Sequence, residues 1–165
     1  TPSFLNRIIP LLYYMALSAS SLTAIVVRYV IVPADFNSNN PIGHLFLKHE
    51  QVMHNWTLIL LSLELVFGTI EVLPEGVILG GFLGGIYFYF AYIWARFFGE
   101  YFVYDFIDPR PKSAPYAIVG LVIAFGIFFM IMYALYSVLE WNQWVGIPLV
   151  ILFVHRSVLF KPPSN

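Results

Sequence analysis

Residues 76–95, with the sequence GVILGGFLGGIYFYFAYIWA, form a run of twenty residues without a charged side chain. This is the length of apolar helix that crosses the hydrocarbon core of a bilayer. Further uncharged runs occupy residues 8–27 and 114–139, and residues 52–70 contain a single charged side chain, Glu64. Helices satisfy their own backbone hydrogen bonds in lipid, which is why they can span a membrane. The sequence therefore predicts an all-α, polytopic transmembrane helix bundle.

The composition of the whole chain agrees with this prediction. Of its 165 residues, 60% are hydrophobic and 10% are charged, and the mean hydropathy is +0.81. A water-soluble domain of this size carries more charge. The formal net charge is −1 and the charges form no basic stripe, so no nucleic-acid partner is predicted. The sequence contains no cysteine, which excludes disulfides, thiolate metal sites and cysteine nucleophiles within it.

The spacing of the apolar runs predicts a single transmembrane domain, residues 1–165, in a multi-pass membrane protein. Short connections favour four spanning helices in an up-and-down arrangement, the first of them ending near Pro33. The segment after the fourth helix has an apolar part too short for a span, so it is predicted to be interfacial or re-entrant. The predicted helices cover about residues 8–32, 51–72, 76–98 and 114–139, and the interfacial tail covers residues 141–165.

Most polar side chains are predicted to collect at one membrane face. In an up-and-down bundle the end of helix one, the start of helix two, the end of helix three and the start of helix four lie together, and we call this end of the bundle the histidine face. Polar groups in hydrocarbon are costly unless they are paired or reach water, so a functional site is expected there. Its polar residues are Arg28, Asp35, His44, His49, Glu50, His54, Arg96, Glu100, Tyr101, Tyr104, Asp105 and Asp108.

Glu50 and His54 are the candidate catalytic pair within this face. They lie four residues apart, so one helical face brings the carboxylate to the imidazole, as a general base requires. The alternative is an interfacial histidine bonded to a loop carbonyl. His44, His49 and His54 are each separated by about 140° around a helix, so no shared metal site is predicted. No cofactor is predicted either, because a haem needs two opposing histidines and the topology places His155 on the other face.

Two further charged residues carry predictions. Glu64 lies in the middle of the second predicted helix, and we expect it to face the bundle interior, either protonated or hydrogen-bonded to a tyrosine such as Tyr89 or Tyr13, in a structural role and not in proton transport. Arg28 lies near a helix end, where a long basic side chain can reach the interface, and Asp35 is a candidate partner.

Four glycines in the third predicted helix form two overlapping pairs of small residues spaced four apart. Such pairs allow close approach of a neighbouring helix in lipid. The neighbour is either another helix of this chain or a helix of another subunit. The glycines are Gly80, Gly81, Gly84 and Gly85.

Three segments in order resemble one known family. They are HNWTLILLSLELVF beginning at His54, an aromatic helix with Tyr92 and Trp94, and GEYFVYDFIDP over residues 99–109. Together they are similar to the androgen-induced-protein family and its bacterial relatives, which are six-helix membrane proteins. The resemblance extends over residues 4–141. It implies kinship to atypical hydrolases that cleave fatty acid esters of hydroxy fatty acids with a threonine and a histidine, and His54 matches that histidine.

The chain departs from the family pattern in two places. The nucleophilic threonine belongs to the family's first helix, which would lie upstream of Thr1, and Asp105 stands where the family has proline. Two hypotheses follow. In the first, the chain is a relative without the first two helices, processed by removal of a targeting segment, that acts as a non-catalytic subunit of an organellar complex in the mitochondrial inner membrane. In the alternative it is a fragment of an ester hydrolase with an upstream threonine, His54 as general base and Glu50 as the orienting residue.

The first hypothesis implies partners other than the lipid bilayer. A bundle short of two helices exposes the inner faces of the rest, so other membrane subunits are expected on the four glycines or over the open side of the bundle.

Overall fold

The computed structural model describes residues 4–38, 40–99, 108, 112 and 114–162, apart from the side chains of residues 4–7, 83, 114 and 117. All regular structure in these residues is helical, which confirms the all-α prediction. A 3-10 turn, Gly43–Phe46, precedes the third helix. The α-helices are α1 (Phe4–Val26), α2 (Val32–Asn37), α3 (Lys48–Gln51), α4 (Thr57–Phe67), α5 (Gly76–Trp94), α6 (Ala114–Trp141) and α7 (Gln143–Ser157).

Three π-helical segments lie among the described helices. Val27–Ile31 joins α1 to α2, Val52–Trp56 joins α3 to α4, and Ala95–Gly99 continues α5. The sequence predicts that the first helix ends near Pro33, but the helical rod continues through it to Asn37. Pro33 lies two residues after the end of the π segment, at the second position of α2, where its missing N–H coincides with a change of hydrogen-bond register.

Three helical stretches of the described residues are long and apolar enough to cross a membrane, namely Ile8–Asn37, Gly76–Gly99 and Ile118–Trp141. They identify the chain as a membrane protein. The second predicted helix, residues 51–72, is not among them. The helical structure in this region begins at Lys48, before the predicted start at residue 51. It ends at Phe67, because the backbone becomes extended at Gly68.

Two tyrosines of α1 hold the helices together in the main core. The Tyr13 hydroxyl donates to the carbonyl of Leu61 in α4 at 3.0 Å, and the Tyr14 hydroxyl donates to the carbonyl of Glu71 at 2.8 Å. The Tyr14 ring meets Phe129 of α6 edge to face, with centroids 5.8 Å apart. The extended stretch after α4 is thereby fixed to the bundle. The buried core residues are Tyr13, Tyr14, Leu17, Leu65, Val72, Phe129, Met132, Leu139 and Val150.

The C-terminal segment forms a helix that runs back along α6. Asn142 caps it, because its side-chain oxygen accepts from the backbone N–H of Trp144 at 3.0 Å. Gly146 lies directly against Leu139 at the turn between α6 and α7. With about 1.5 Å per residue, α7 extends roughly 22 Å. The predicted interfacial or re-entrant segment is therefore a packed helix that returns toward the histidine face.

Replacing Gly146 with alanine tests this helical hairpin. A Cβ at this position would lie 2.6 Å from the Cα of Leu139, a backbone atom that cannot move aside cheaply. We expect Gly146→Ala to lower the free energy of unfolding in mild detergent by about 1–3 kcal/mol, measured by thermal denaturation. Gly120→Ala is the matched control, because nothing lies within 4 Å of a Cβ there. Equal stability of both variants would contradict the packing of α7 on α6.

Candidate functional site

The histidine face is built around the three π segments. The first π segment follows α1, the second precedes α4, and the third follows α5. Because successive long helices run in opposite directions, all three segments lie on the same side of the bundle. They contain Arg28, His54 and Arg96, respectively. A π turn widens the helix locally and changes the direction of its side chains, and such turns are frequent at functional sites. This face is therefore the candidate site.

Glu50 lies between two histidines. Its Oε2 is 2.8 Å from Nε2 of His54, and its Oε1 is 3.4 Å from Nε2 of His49. His54 is buried, with 8% of its surface exposed, whereas His49 is exposed. Nδ1 of His54 is buried and has no hydrogen-bond partner in the described part of the chain. The carboxylate thus orients the imidazole, as the spacing of Glu50 and His54 predicts, and the catalytic role of the pair stays a prediction.

Asn55, next to His54 in the second π segment, forms hydrogen bonds with Leu159, just after α7. Its amide donates to the carbonyl of Leu159 at 2.8 Å, and its carbonyl oxygen accepts from the Leu159 N–H at 3.2 Å. The amide also donates to Oε1 of Gln51 at 2.6 Å, while the Gln51 amide donates to the carbonyl of Leu45. One buried side chain therefore links the start of α4 with the residues after α7.

Arg28 and Tyr29 complete this attachment from the first π segment. Nη1 of Arg28 donates to the carbonyls of His155, at 3.1 Å, and Val158. The Tyr29 hydroxyl donates to the carbonyl of Arg156 at 2.8 Å. A cation at a helix C-terminus also interacts favourably with the helix dipole. The placement of His155 on the opposite face is therefore wrong, since α7 brings its backbone back to Arg28.

Arg28 does not pair with Asp35, its candidate partner. The carboxylate of Asp35 instead accepts from the side-chain amide of Asn40 at 3.0 Å, which closes the turn after α2. Within the described residues, no carboxylate lies within ion-pair distance of the Arg28 guanidinium.

The hydroxyls near His54 are engaged with the backbone. Thr57 donates to the carbonyl of Val52 at 2.9 Å, the hydrogen bond that its place after a π turn favours. Ser18, Ser20 and Ser21 in α1 likewise donate to carbonyls one turn earlier. None of these four hydroxyls is hydrogen-bonded to His54, so none is arranged as a nucleophile for that base.

Glu64 does not face the interior as the sequence predicts. It is exposed in the last turn of α4, and its carboxylate extends forward over Gly68, the residue that follows the helix. The hydroxyl of Tyr13 is taken by the carbonyl of Leu61, and Tyr89 is exposed on α5. Because α4 ends only three residues later, the carboxylate reaches outward beyond the helix end instead of requiring a buried partner.

The glycines of α5 divide into two groups. Gly80 packs within the chain, against the ring of Phe125. Among the described residues, apart from the neighbouring backbone of α5 itself, nothing lies within 4 Å of a Cβ built at Gly81, Gly84 or Gly85. In the most apolar 18-residue part of the Gly76–Gly99 stretch, only 12% is buried. Packing inside the bundle therefore accounts for one of the four predicted contact glycines and leaves the other three open.

A cavity of about 290 Å³ lies on the histidine face beside the first π segment. Its lining comes from three parts of the chain: Arg28 and Tyr29 of the first π segment, Val32, Pro33, Phe36 and Asn37 of α2, and Leu159 after α7. Its walls are mostly apolar and it does not include His54. Composition and spacing gave no sign of this cavity, since it depends on the return of α7 to α1.

Several predicted residues of the face lie outside the described residues. They include Glu100, Tyr101, Tyr104 and Asp105, and with them most of the family-like segment over residues 99–109. In the described part of the chain, no three His, Cys, Asp or Glu side chains group in a way that could hold a metal ion. Comparison of the chain with models of protein families, with curated proteins and with solved structures finds no match.

Replacing Asn55 tests the attachment of the C-terminal residues. In Asn55→Asp the side chain can still accept from the Leu159 N–H, but it can no longer donate to the Leu159 carbonyl. The buried carboxylate instead lies next to that carbonyl oxygen, and this repulsion opens the attachment as a whole, including the N–H contact. We expect amide hydrogen exchange at Leu159 to accelerate about tenfold or more, measured in detergent by exchange mass spectrometry. Asn142→Asp makes the same chemical change at a helix N-cap that aspartate also satisfies, so exchange at Leu159 should stay unchanged. Equal exchange in both variants would contradict the role of Asn55.

Proposed function

We propose that this protein is a non-catalytic accessory subunit of a larger membrane complex and packs against other membrane subunits through α5. The observation that carries the proposal is the open glycine face of that helix. Gly81 and Gly85 lie one turn apart and form a groove without side chains. Because lipid gives no hydrophobic drive for helix association, such grooves serve close van der Waals packing between transmembrane helices.

Two exposed tyrosines of α5 support the same conclusion. Tyr87 and Tyr89 lie near the middle of the Gly76–Gly99 span, with 51% and 68% of their surfaces exposed. Neither hydroxyl has a hydrogen-bond partner within the described residues. An unpaired hydroxyl at this depth is unfavourable in hydrocarbon and finds a partner on an adjacent helix. A neighbouring subunit with backbone or polar acceptors would satisfy both.

The geometry around His54 favours an accessory role over catalysis. Its Nε2 is held by Glu50, the hydroxyl of Thr57 one turn further along the helix is bonded to the backbone, and the cavity beside the first π segment does not include His54. The polar contacts of Asn55 and Arg28 act on the C-terminal residues of the same chain. We include in this proposal an organellar location, with the mitochondrial inner membrane as the first membrane to examine.

Leucine substitutions in the glycine groove test the accessory role. We expect the double variant Gly81→Leu, Gly85→Leu to lose at least about nine-tenths of its co-migration with integral membrane partners. The added side chains would prevent close helix packing, and a loss of about 1.4 kcal/mol in binding free energy already weakens the affinity tenfold. Native gel separation of detergent extracts with mass spectrometry measures this. Gly120→Leu is the control, since it adds the same side chain to an open position of α6.

The outcomes of this experiment separate the alternatives. Loss of the same partners in the double variant but not in Gly120→Leu supports the proposal, provided that thermal unfolding of the isolated chain is unchanged. Undiminished co-migration of the double variant excludes the glycine groove as the interface. A wild-type chain that extracts as a stable monomer without other membrane proteins contradicts the accessory role itself.

Ester hydrolysis is the second candidate function, favoured by the 2.8 Å contact of Glu50 with His54 and by the unpartnered Nδ1. A histidine base contributes about 10²–10⁴-fold to a rate, so His54→Ala would lower fatty acid release by that factor if the chain is part of a hydrolase. For the accessory subunit we expect the purified wild type to release no more fatty acid from a hydroxy fatty acid ester than the His54→Ala variant does. Release that depends on His54 would favour the hydrolase.

A further inference from the structure

The cavity beside the first π segment combines an apolar wall with one cation. Val32, Phe36 and Leu159 supply the wall, and Arg28 lies at one end. The cavity lies near the C-terminal end of the Ile8–Asn37 span, where hydrocarbon gives way to the headgroup region. It therefore combines an apolar surface with a positive charge near headgroup depth, and these two features are complementary to an anionic amphiphile.

Arg28 retains donors after it has capped α7. Both of its hydrogen bonds leave from Nη1, while a guanidinium has five N–H donors in total. The remaining donors, on Nη2 and Nε, have no partner in the described part of the chain. The carbonyls at the end of α7 carry only partial negative charge. The Tyr29 ring, whose centroid lies 5.4 Å from Cζ of Arg28, adds a cation–π contact but no negative unit charge. Within the described residues, Arg28 therefore has no anionic partner.

A charge at the edge of hydrocarbon without a counter-ion is costly, and an anion with two or more acceptor oxygens would relieve it. Phosphate matches the planar fork of a guanidinium well. A cavity of about 290 Å³ is too small for a whole phospholipid but receives part of one acyl chain. We propose that this cavity binds an anionic phospholipid, with its phosphate on Arg28 and one acyl chain against Val32, Phe36 and Leu159.

Charge complementarity and position favour lipid over the other occupants of such a groove. A helix of a partner subunit would cover the apolar wall but would need a carboxylate at headgroup depth to match Arg28. Free phosphate would match Arg28 but leave the wall exposed. The phospholipid satisfies both parts of the site from the surrounding bilayer, and the proposal does not depend on the accessory role.

Native mass spectrometry of the full chain from mild detergent tests the proposal. The probes are dioleoyl phosphatidylglycerol, dioleoyl phosphatidylcholine and inorganic phosphate. We expect the wild type to retain phosphatidylglycerol about tenfold or more strongly than phosphatidylcholine, because hydrogen bonds to charged groups contribute at that level. Arg28→Gln should remove this preference. Arg156→Gln, which removes an exposed charge of the same face outside the cavity, should keep it.

A second pair of variants keeps the test decisive if Arg28→Gln loosens α7 by removing its cap. Asn37 also lines the cavity and is exposed, so Asn37→Asp places a negative charge near the phosphate site without altering the Arg28 carbonyl contacts. We expect it to weaken phosphatidylglycerol retention at least about fivefold, by like-charge repulsion at the entrance. Asn142→Asp carries the same charge change at the opposite end of α7 and should have no effect.

Three results would overturn the proposal. The first is an unchanged phosphatidylglycerol preference in both Arg28→Gln and Asn37→Asp. The second is equal weakening by Asn37→Asp and Asn142→Asp, which would indicate a net-charge effect. The third is displacement of the lipid by inorganic phosphate at equal concentration, which would assign the site to the free anion and leave the apolar wall without a role.

Discussion

Hydrocarbon offers no hydrogen bonds, so every exposed carbonyl at the end of a membrane helix must find a donor within the protein or at the interface. The end of α7 meets this constraint with side chains from distant parts of the chain. Arg28, Tyr29 and Asn55 donate to four carbonyls near the end of α7, those of His155, Arg156, Val158 and Leu159. These contacts join the first span, the start of α4 and the C-terminal residues, and the cavity and the enclosed position of His54 both depend on them.

The fold class follows from the sequence because the signal is large. Uncharged runs near twenty residues long leave few alternatives in a chain with so few charges, and three of them are membrane-length helices in the structure. The contact of Glu50 with His54 was also predictable, since an i, i+4 spacing brings side chains together on a helix that forms for other reasons. A side-chain contact can therefore be predicted from spacing in the sequence when both residues lie in one continuous helix.

Predictions that needed tertiary information failed. The return of α7 could not be read from its hydropathy, because Pro148, His155 and Arg156 lower it and their cost is offset by packing on α6 and by caps from α1. Asn142 was the available signal, as asparagine is a strong helix N-cap. The apolar neighbours of Glu64 predict an interior position, because a charge in the middle of a membrane helix is costly. In the structure α4 ends at Phe67, so Glu64 lies in its last turn and is exposed.

The remaining asymmetry of the molecule bears on function. Asn55, Glu50 and Tyr29 on the histidine face make contacts within the chain. In contrast, α5 presents an open glycine groove and the exposed hydroxyls of Tyr87 and Tyr89 to its surroundings. Catalysis needs groups held ready for a substrate, and subunit packing needs a surface held ready for another helix. By this criterion the described residues offer the second more fully than the first. A lipid at Arg28 would be compatible with either role, because it satisfies a charge that the fold itself places at the membrane boundary.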